Sequence, residues 1–103
     1  MQTTADGPVA LITLRGELDM LATAELEQEL ERLTEDVVAI DLRSLLFLDS
    51  AGLRTIMLAR TRFGSEDRRL VLVRGNQAVQ RVFEITRAAD RLEFVDAPEH
   101  VNS

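Results

Sequence analysis

Asp41-Leu42-Arg43-Ser44-Leu45-Leu46-Phe47-Leu48-Asp49-Ser50-Ala51-Gly52-Leu53 decides how the rest of this chain is read. Val37 to Leu42 is an apolar run broken only by Asp41, the pattern of a strand covered on both faces. Leu45 to Leu48 adds a second apolar patch, and Asp49-Ser50-Ala51-Gly52 is a short polar turn. From Ala51 to about Arg62, Leu53, Ile56, Met57 and in part Arg60 recur at helical spacing. Ser50 therefore falls where a helix N-cap belongs, its hydroxyl near the first unpaired backbone N–H groups. A serine there either caps the helix and no more, or presents a hydroxyl for chemistry on a rigid base. Both readings stand on these residues.

Towards the N-terminus, Gln2 to Ala5 reads as a first strand. Asp6-Gly7 is a hairpin-turn pair, so Pro8 to Arg15 folds back as an antiparallel second strand. Gly16-Glu17-Leu18-Asp19 breaks the pattern and reads as a loop. Thr23 is placed to cap a helix running to about Leu33, with Leu26, Leu30 and Leu33 on one face. Glu25, Glu27, Glu29 and Glu31 are then a solvated surface.

Towards the C-terminus, Phe63-Gly64-Ser65-Glu66-Asp67 closes the central helix, with Gly64 near its C′ position. Leu70 to Val73 is a short buried strand. Asn76 caps a helix whose inward residues are Val79, Val82, Phe83 and Thr86, Leu92 to Val95 is a last strand, and Ala97 to Ser103 is a fragment of a final helix. The order predicts one α/β domain over residues 1–103: a mixed, mostly parallel sheet, opened by a β-hairpin and packed against helices. Sites in such folds gather at the C-terminal ends of parallel strands, where the Asp49-Ser50 turn lies.

Composition removes several function classes. The 103 residues include no cysteine and no lysine, and the net charge is −6. Disulfide and zinc-thiolate frameworks are excluded, and a reducing, cytoplasmic setting suits the chain. An acidic surface repels nucleic-acid backbone and anionic membrane, and four Phe with neither Trp nor Tyr offer little for base stacking. The opening MQTTADGPVALITLRG lacks a basic n-region, and its apolar run is short, so it reads as neither signal peptide nor membrane span.

Catalysis finds little support. A nucleophile elbow needs Gly two residues before the serine, where Leu48 stands, and His100 is the only histidine available as a base. Asp19, Asp41 and Asp49 approach one another at loop ends, but in no spacing that resembles a metal cage. A phosphate-binding Gly-rich loop ending in Lys is impossible without lysine. No catalytic residue, metal or cofactor is expected.

Phosphorylation of Ser50 asks less: an exposed hydroxyl at a helix start, with the small neighbours Ala51 and Gly52 giving a kinase room. A helix N-terminus tolerates the anion. The added charge of about −1.5 to −2 beside Asp49 leaves the fold intact and changes the surface. A hundredfold loss of affinity requires only ~3 kcal/mol.

At these residues the chain resembles the STAS domain family, and within it the bacterial anti-sigma-factor antagonists. The resemblance rests on Asp41, Leu42, Phe47, Asp49, Ser50, Ala51, Gly52 and Leu53. It continues in Gly16-Glu17-Leu18-Asp19 with Ala22-Thr23-Ala24-Glu25-Leu26, and more loosely in Arg69 to Val73 with Val79, Arg81, Val82 and Phe83. Two departures stand out: Met20 and Leu21 make the step from Asp19 to Ala22 one residue longer than is commonest, and Thr86 to Asp90 lacks the Gly that often ends the third helix.

The resemblance implies a cycle. The unphosphorylated protein binds an anti-sigma factor with serine kinase activity and so releases the sigma factor; ATP-dependent phosphorylation of Ser50 ends the binding, and a serine phosphatase restores it. Asp49 would then position the serine, Asp19 would shape the partner surface from the neighbouring loop, Gly52 would keep the helix start accessible, and Ala51 and Leu53 would complete the switch turn. The family also contains accessory subunits of lipid or anion transporters, the alternative role for this chain.

Overall fold

The apolar run beginning at Val37 is the middle strand of a five-stranded sheet in the order β1-β2-β3-β4-β5. In the computed structural model, which describes residues 1–102, the elements are β1 (Gln2–Asp6), β2 (Val9–Leu18), α1 (Met20–Arg32), β3 (Val37–Leu48), α2 (Ser50–Ser65), β4 (Arg69–Val73), α3 (Gln77–Ile85) and β5 (Glu93–Val95). Two 3-10 turns, Ala88–Arg91 and Pro98–Asn102, flank β5. β1 pairs antiparallel with β2, and the remaining pairings are parallel. This is the mixed, hairpin-opened architecture that the sequence predicts.

Side-chain alternation along the strands sorts the core into two layers. Ala10, Ile12, Leu14, Val38, Ile40, Leu42, Leu70 and Leu72 meet Leu26, Leu30, Ile56, Ala59, Phe63, Val79 and Phe83 from the three helices. The intervening strand residues Ala39 and Val71 face the other way, with Val9, Leu11, Val37 and Val95 at their margins, and are covered by Val101 of the last 3-10 turn. Arg69 fastens that cover by donating to the Val101 carbonyl at 2.7 Å.

Several boundaries differ from expectation, each for a local reason. The hairpin closes at Asp6–Val9, so its loop is Gly7-Pro8, with Gly7 (φ 61) supplying the positive φ of a primed turn. The break expected over Gly16 to Asp19 does not occur, and β2 runs to Leu18. Gly16 adopts φ 73 beside the second of two register shifts, each of which places one extra residue on β3, and pairing resumes beyond it. The same irregular pairing carries β3 unbroken from Val37 to Leu48, merging the two apolar patches.

Helix α1 begins at Met20, not after Thr23. Thr23 is buried one turn inside, and its hydroxyl oxygen has no hydrogen-bond partner among the described residues. Helix α2 absorbs Gly64 and stops at Glu66, whose N–H reaches the Arg62 carbonyl; Asp67 (φ 59), not Gly64, is the left-handed residue after it. Asn76 does cap α3, accepting from the Val79 N–H at 2.9 Å. Thr86 is exposed instead of inward, its hydroxyl donating back to the Val82 carbonyl at 2.7 Å. Arg87 takes the left-handed position (φ 61) left without a glycine. The C-terminal segment is a 3-10 turn and not part of an α-helix; Ser103, included in that expectation, lies outside the described residues.

Candidate functional site

Leu18 and Leu48 are paired at the adjacent C-terminal ends of β2 and β3, and the chain leaves both strands in the same way. Asp19 (φ −91, ψ −170) and Asp49 (φ −96, ψ −179) are both extended and both N-cap a helix. The Asp19 carboxylate accepts from the Ala22 N–H at 3.0 Å, and its carbonyl accepts from the Thr23 N–H at 2.8 Å. Asp49 does the same for the Gly52 N–H at 2.8 Å and the Leu53 N–H at 3.0 Å. Two helix starts therefore stand side by side at the C-terminal end of the two interior strands β2 and β3.

This corrects the role expected of Ser50. Aspartate and serine are comparable caps, but only aspartate brings a full negative charge to the positive end of the helix dipole. With Asp49 in the capping position, Ser50 becomes the first residue of α2, exposed, with its hydroxyl in no hydrogen bond among the described residues. The backbone N–H groups of Ser50 and Ala51 likewise have no protein partner among those residues. An unengaged hydroxyl thus sits over two unengaged donors.

Gly52 lies underneath this turn. It is buried, and a Cβ there would come within 2.8 Å of both Leu18 Cδ2 and Leu48 Cδ1. Its bare backbone lets the start of α2 settle onto the two strand ends, so its contribution is close packing beneath the serine and not access to it. Leu53 is half-buried against the same core, whereas Ala51 is exposed. Of the residues singled out in the sequence, Asp19, Asp49, Ser50 and Ala51 share the surface, and Gly52 and Leu53 support it.

The sequence reading named four large apolar side chains near this end of the sheet without foreseeing that they are exposed: Met20 and Leu21 (each 80% exposed), Leu46 (69%) and Phe47 (51%). Met20 and Leu21 are the first turn of α1, beside Asp19, so the extra residue after Asp19 is helix and not a longer loop. Leu46 and Phe47 turn outward because β3 bulges: Leu45 pairs with Gly16 and Phe47 with Glu17, leaving Leu46 without an opposite number. The signal was present in Leu45-Leu46-Phe47-Leu48, since a strand cannot turn four consecutive side chains to one face. Exposed apolar side chains gathered near one end of a fold are candidates for a partner surface.

Asp41 does not join the two capping aspartates. It is 4% exposed and held within β3 by Arg43, whose Nη2 donates at 2.8 Å, whose Nε donates at 3.0 Å, and whose backbone N–H donates at 3.0 Å. Burial pushes the Asp41 carboxyl up, but the hydrogen bonds from Arg43, with the charges of Arg43 and Arg15, more than offset it and hold the group below the ordinary carboxylate range. Among the described residues no cluster of three or more His, Cys, Asp or Glu is arranged to hold a metal ion. Nor, among those residues, is any helix long and apolar enough to cross a membrane. His100 lies exposed in the Pro98–Asn102 turn.

A sequence profile described as "Mlab, STAS domain" matches residues 1–96. The chain belongs to the STAS domain family. Anti-sigma-B factor antagonists of Staphylococcus aureus are similar to this STAS domain, at 24% identity over 102 residues, covering 96% of this chain and 94% of theirs. The fold is shared with an anti-sigma factor antagonist from Mycobacterium paratuberculosis (TM-score 0.86, 21% identity, 97% of this chain and 87% of that one). It is shared too with the anti-sigma factor antagonist SpoIIAA in its unphosphorylated form (TM-score 0.79, 19% identity, 98% and 92%).

Proposed function

We propose that this STAS domain is a non-enzymatic anti-sigma-factor antagonist acting in the cytoplasm, switched by phosphorylation of Ser50. In its unphosphorylated form it binds an anti-sigma factor that is also a serine kinase and thereby releases the sigma factor. The observation that carries this reading is the division of labour at the helix start. Asp49 satisfies the cap, so the Ser50 hydroxyl is exposed and committed to nothing else.

In the modifying step the Ser50 Oγ attacks the γ-phosphorus of ATP. The new bond is Oγ–P, the bond from that phosphorus to the β–γ bridging oxygen breaks, ADP leaves, and the hydroxyl proton passes to a base of the kinase. A phosphatase reverses the outcome by transferring the phosphoryl group to water. The phosphate is accommodated at the helix start by the unengaged N–H groups of Ser50 and Ala51 and by the helix dipole. Its charge follows Asp49 directly in the chain and lies at the end of the sheet that also carries Asp19 and the exposed Met20, Leu21, Leu46 and Phe47. A partner surface matched to that apolar rim then has to desolvate a dianion, which costs the few kcal/mol that a hundredfold switch requires.

The test is capture from lysate of the source cell with wild type, Ser50→Ala and Ser50→Asp, followed by phosphate incorporation from labelled ATP by whatever kinase is captured. Wild type and Ser50→Ala should retain the kinase, Ser50→Asp should lose it, and Ser50→Ala should take up no label. Label persisting in Ser50→Ala rejects the switch residue. Capture of an ABC-type transport ATPase in place of a serine kinase replaces the antagonist role with that of a transporter accessory subunit.

A further inference from the structure

A groove at the far end of the sheet gathers cations in an otherwise acidic protein. Four of the twelve arginines, Arg60, Arg68, Arg69 and Arg91, line a cleft of about 480 Å3 over Leu70, although the chain's net charge is −6. Arg69 opens β4 opposite Val37 at the start of β3, whereas Ser50 follows the other end of β3. The two surfaces therefore lie at opposite ends of the same strand.

The four arginines divide into two kinds. Arg68 donates to the Leu33 carbonyl at 2.9 Å and the Glu35 carbonyl at 3.0 Å, with its guanidinium 4.1 Å from the centre of the Phe63 ring. Arg69 is engaged by the Glu93 carboxylate and the Val101 carbonyl. These two hold the fold together. Arg60 and Arg91 are exposed and make no hydrogen bond or ion pair among the described residues, so folding leaves their charges unused.

Gly64, on the wall of the cleft, is a second and independent sign. It lies inside α2, its φ is not in the left-handed region, and a Cβ there would meet nothing within 4 Å. Neither packing nor backbone geometry calls for glycine, which is the poorest helix former after proline. What its bare backbone provides is room for another chain to lie close to the helix.

We infer that this cleft docks an acidic peptide segment of a partner protein. A compact phosphate needs several N–H donors converging on one point. Here the guanidinium groups of Arg68 and Arg69 are already paired with the Glu66 and Glu93 carboxylates, the two unpaired ones come from separate elements (Arg60 from α2, Arg91 from the turn before β5), and the Glu93 carboxylate on the wall repels a dianion. An extended segment instead spreads single carboxylates between Arg60 and Arg91 and runs along the open backbone at Gly64. Docking there leaves the Ser50 turn unobstructed, so the inference stands or falls independently of the switch.

The probe is a fluorescein-labelled synthetic peptide of alternating glutamate and leucine, followed by fluorescence anisotropy against the intact protein. Binding should be saturable, weaken as salt is added, and fall about tenfold in the Arg60→Glu/Arg91→Glu double variant. Both positions are exposed, and circular dichroism verifies that the variant is folded. Gly64→Gln keeps every charge, fills the opening, and should weaken the peptide while raising Tm. Absence of saturable binding, undiminished binding in the double variant, equal binding of a lysine-leucine peptide, or displacement by pyrophosphate at lower concentration than by unlabelled peptide overturns the inference.

Discussion

The starts of α1 and α2 are built alike and carry different surfaces. Both follow paired strand ends, both are capped by an aspartate in extended conformation, and both caps accept from the N–H three residues on. After Asp19 come Met20 and Leu21, two apolar side chains turned to solvent; after Asp49 come the small Ser50 and Ala51. The third helical residue differs as well, Ala22 in one and Gly52 in the other, the latter buried against Leu18 and Leu48. One construction thus yields an apolar, unreactive knob and a hydroxyl on a tightly seated turn. The cap supplies rigidity, and the two residues after it decide what the rigid point offers.

Perturbing the two starts in parallel tests that comparison. The largest effect on stability should come from Gly52→Ala, whose new Cβ would come within 2.8 Å of two buried leucine methyl groups. Overpacking of this kind costs about 1–3 kcal/mol, measured by urea unfolding. The converse change, Ala22→Gly, creates no clash and should cost about 1 kcal/mol of helix propensity plus part of the burial of one half-buried methyl group. Equal costs for the two would abolish the packing distinction.

Removing the caps comes next. Asp19→Ala and Asp49→Ala should each lower stability by about 1 kcal/mol, because each leaves the N–H it now accepts from without that partner. Ser50→Ala should change stability by no more than about 0.5 kcal/mol, since the serine caps nothing and alanine is the better helix former. A loss of a full kcal/mol in that variant would return Ser50 to the capping role that the sequence suggested.

The pH dependence supplies the smallest and sharpest control. Asp41 is the buried carboxylate whose folded pKa is depressed, so its contribution is present above the unfolded value and is lost as pH falls through the folded one. Wild type should therefore lose part of its stability on acidification below the ordinary carboxylate range, and Asp41→Asn should flatten that part of the curve. Persistence of the full acid loss in Asp41→Asn would assign it to other carboxylates.

Much of this was legible before the structure. Apolar alternation and turn residues located every strand and the three helices, because those signals arise from local sequence. The details that decide the site were less visible, and for identifiable reasons. Aspartate and serine are nearly equivalent caps, so the Asp49-Ser50 pair left the helix start ambiguous by one residue until the backbone dihedrals fixed it. The outward turn of Leu46 and Phe47 depends on a bulge in pairing with β2, a contact between segments far apart in sequence. Thr23 is a cap-type residue just ahead of the apolar face that begins at Leu26, but the carboxylate of Asp19, four residues earlier, takes the role.

The cover over the back of the sheet has a practical side. Val101 is 2% exposed and its carbonyl is held by Arg69, whereas Met1 is 48% exposed at the other terminus. A fluorescent reporter or affinity handle attached on the C-terminal side of Val101 would hang from the segment that seals Ala39 and Val71, and any load on it would tug at that seal. The same handle joined ahead of Met1 would leave from open surface. Pull-down baits and reporter fusions of this protein should therefore be tethered through the N-terminus, so that what they report is partner exchange and not a loosened sheet.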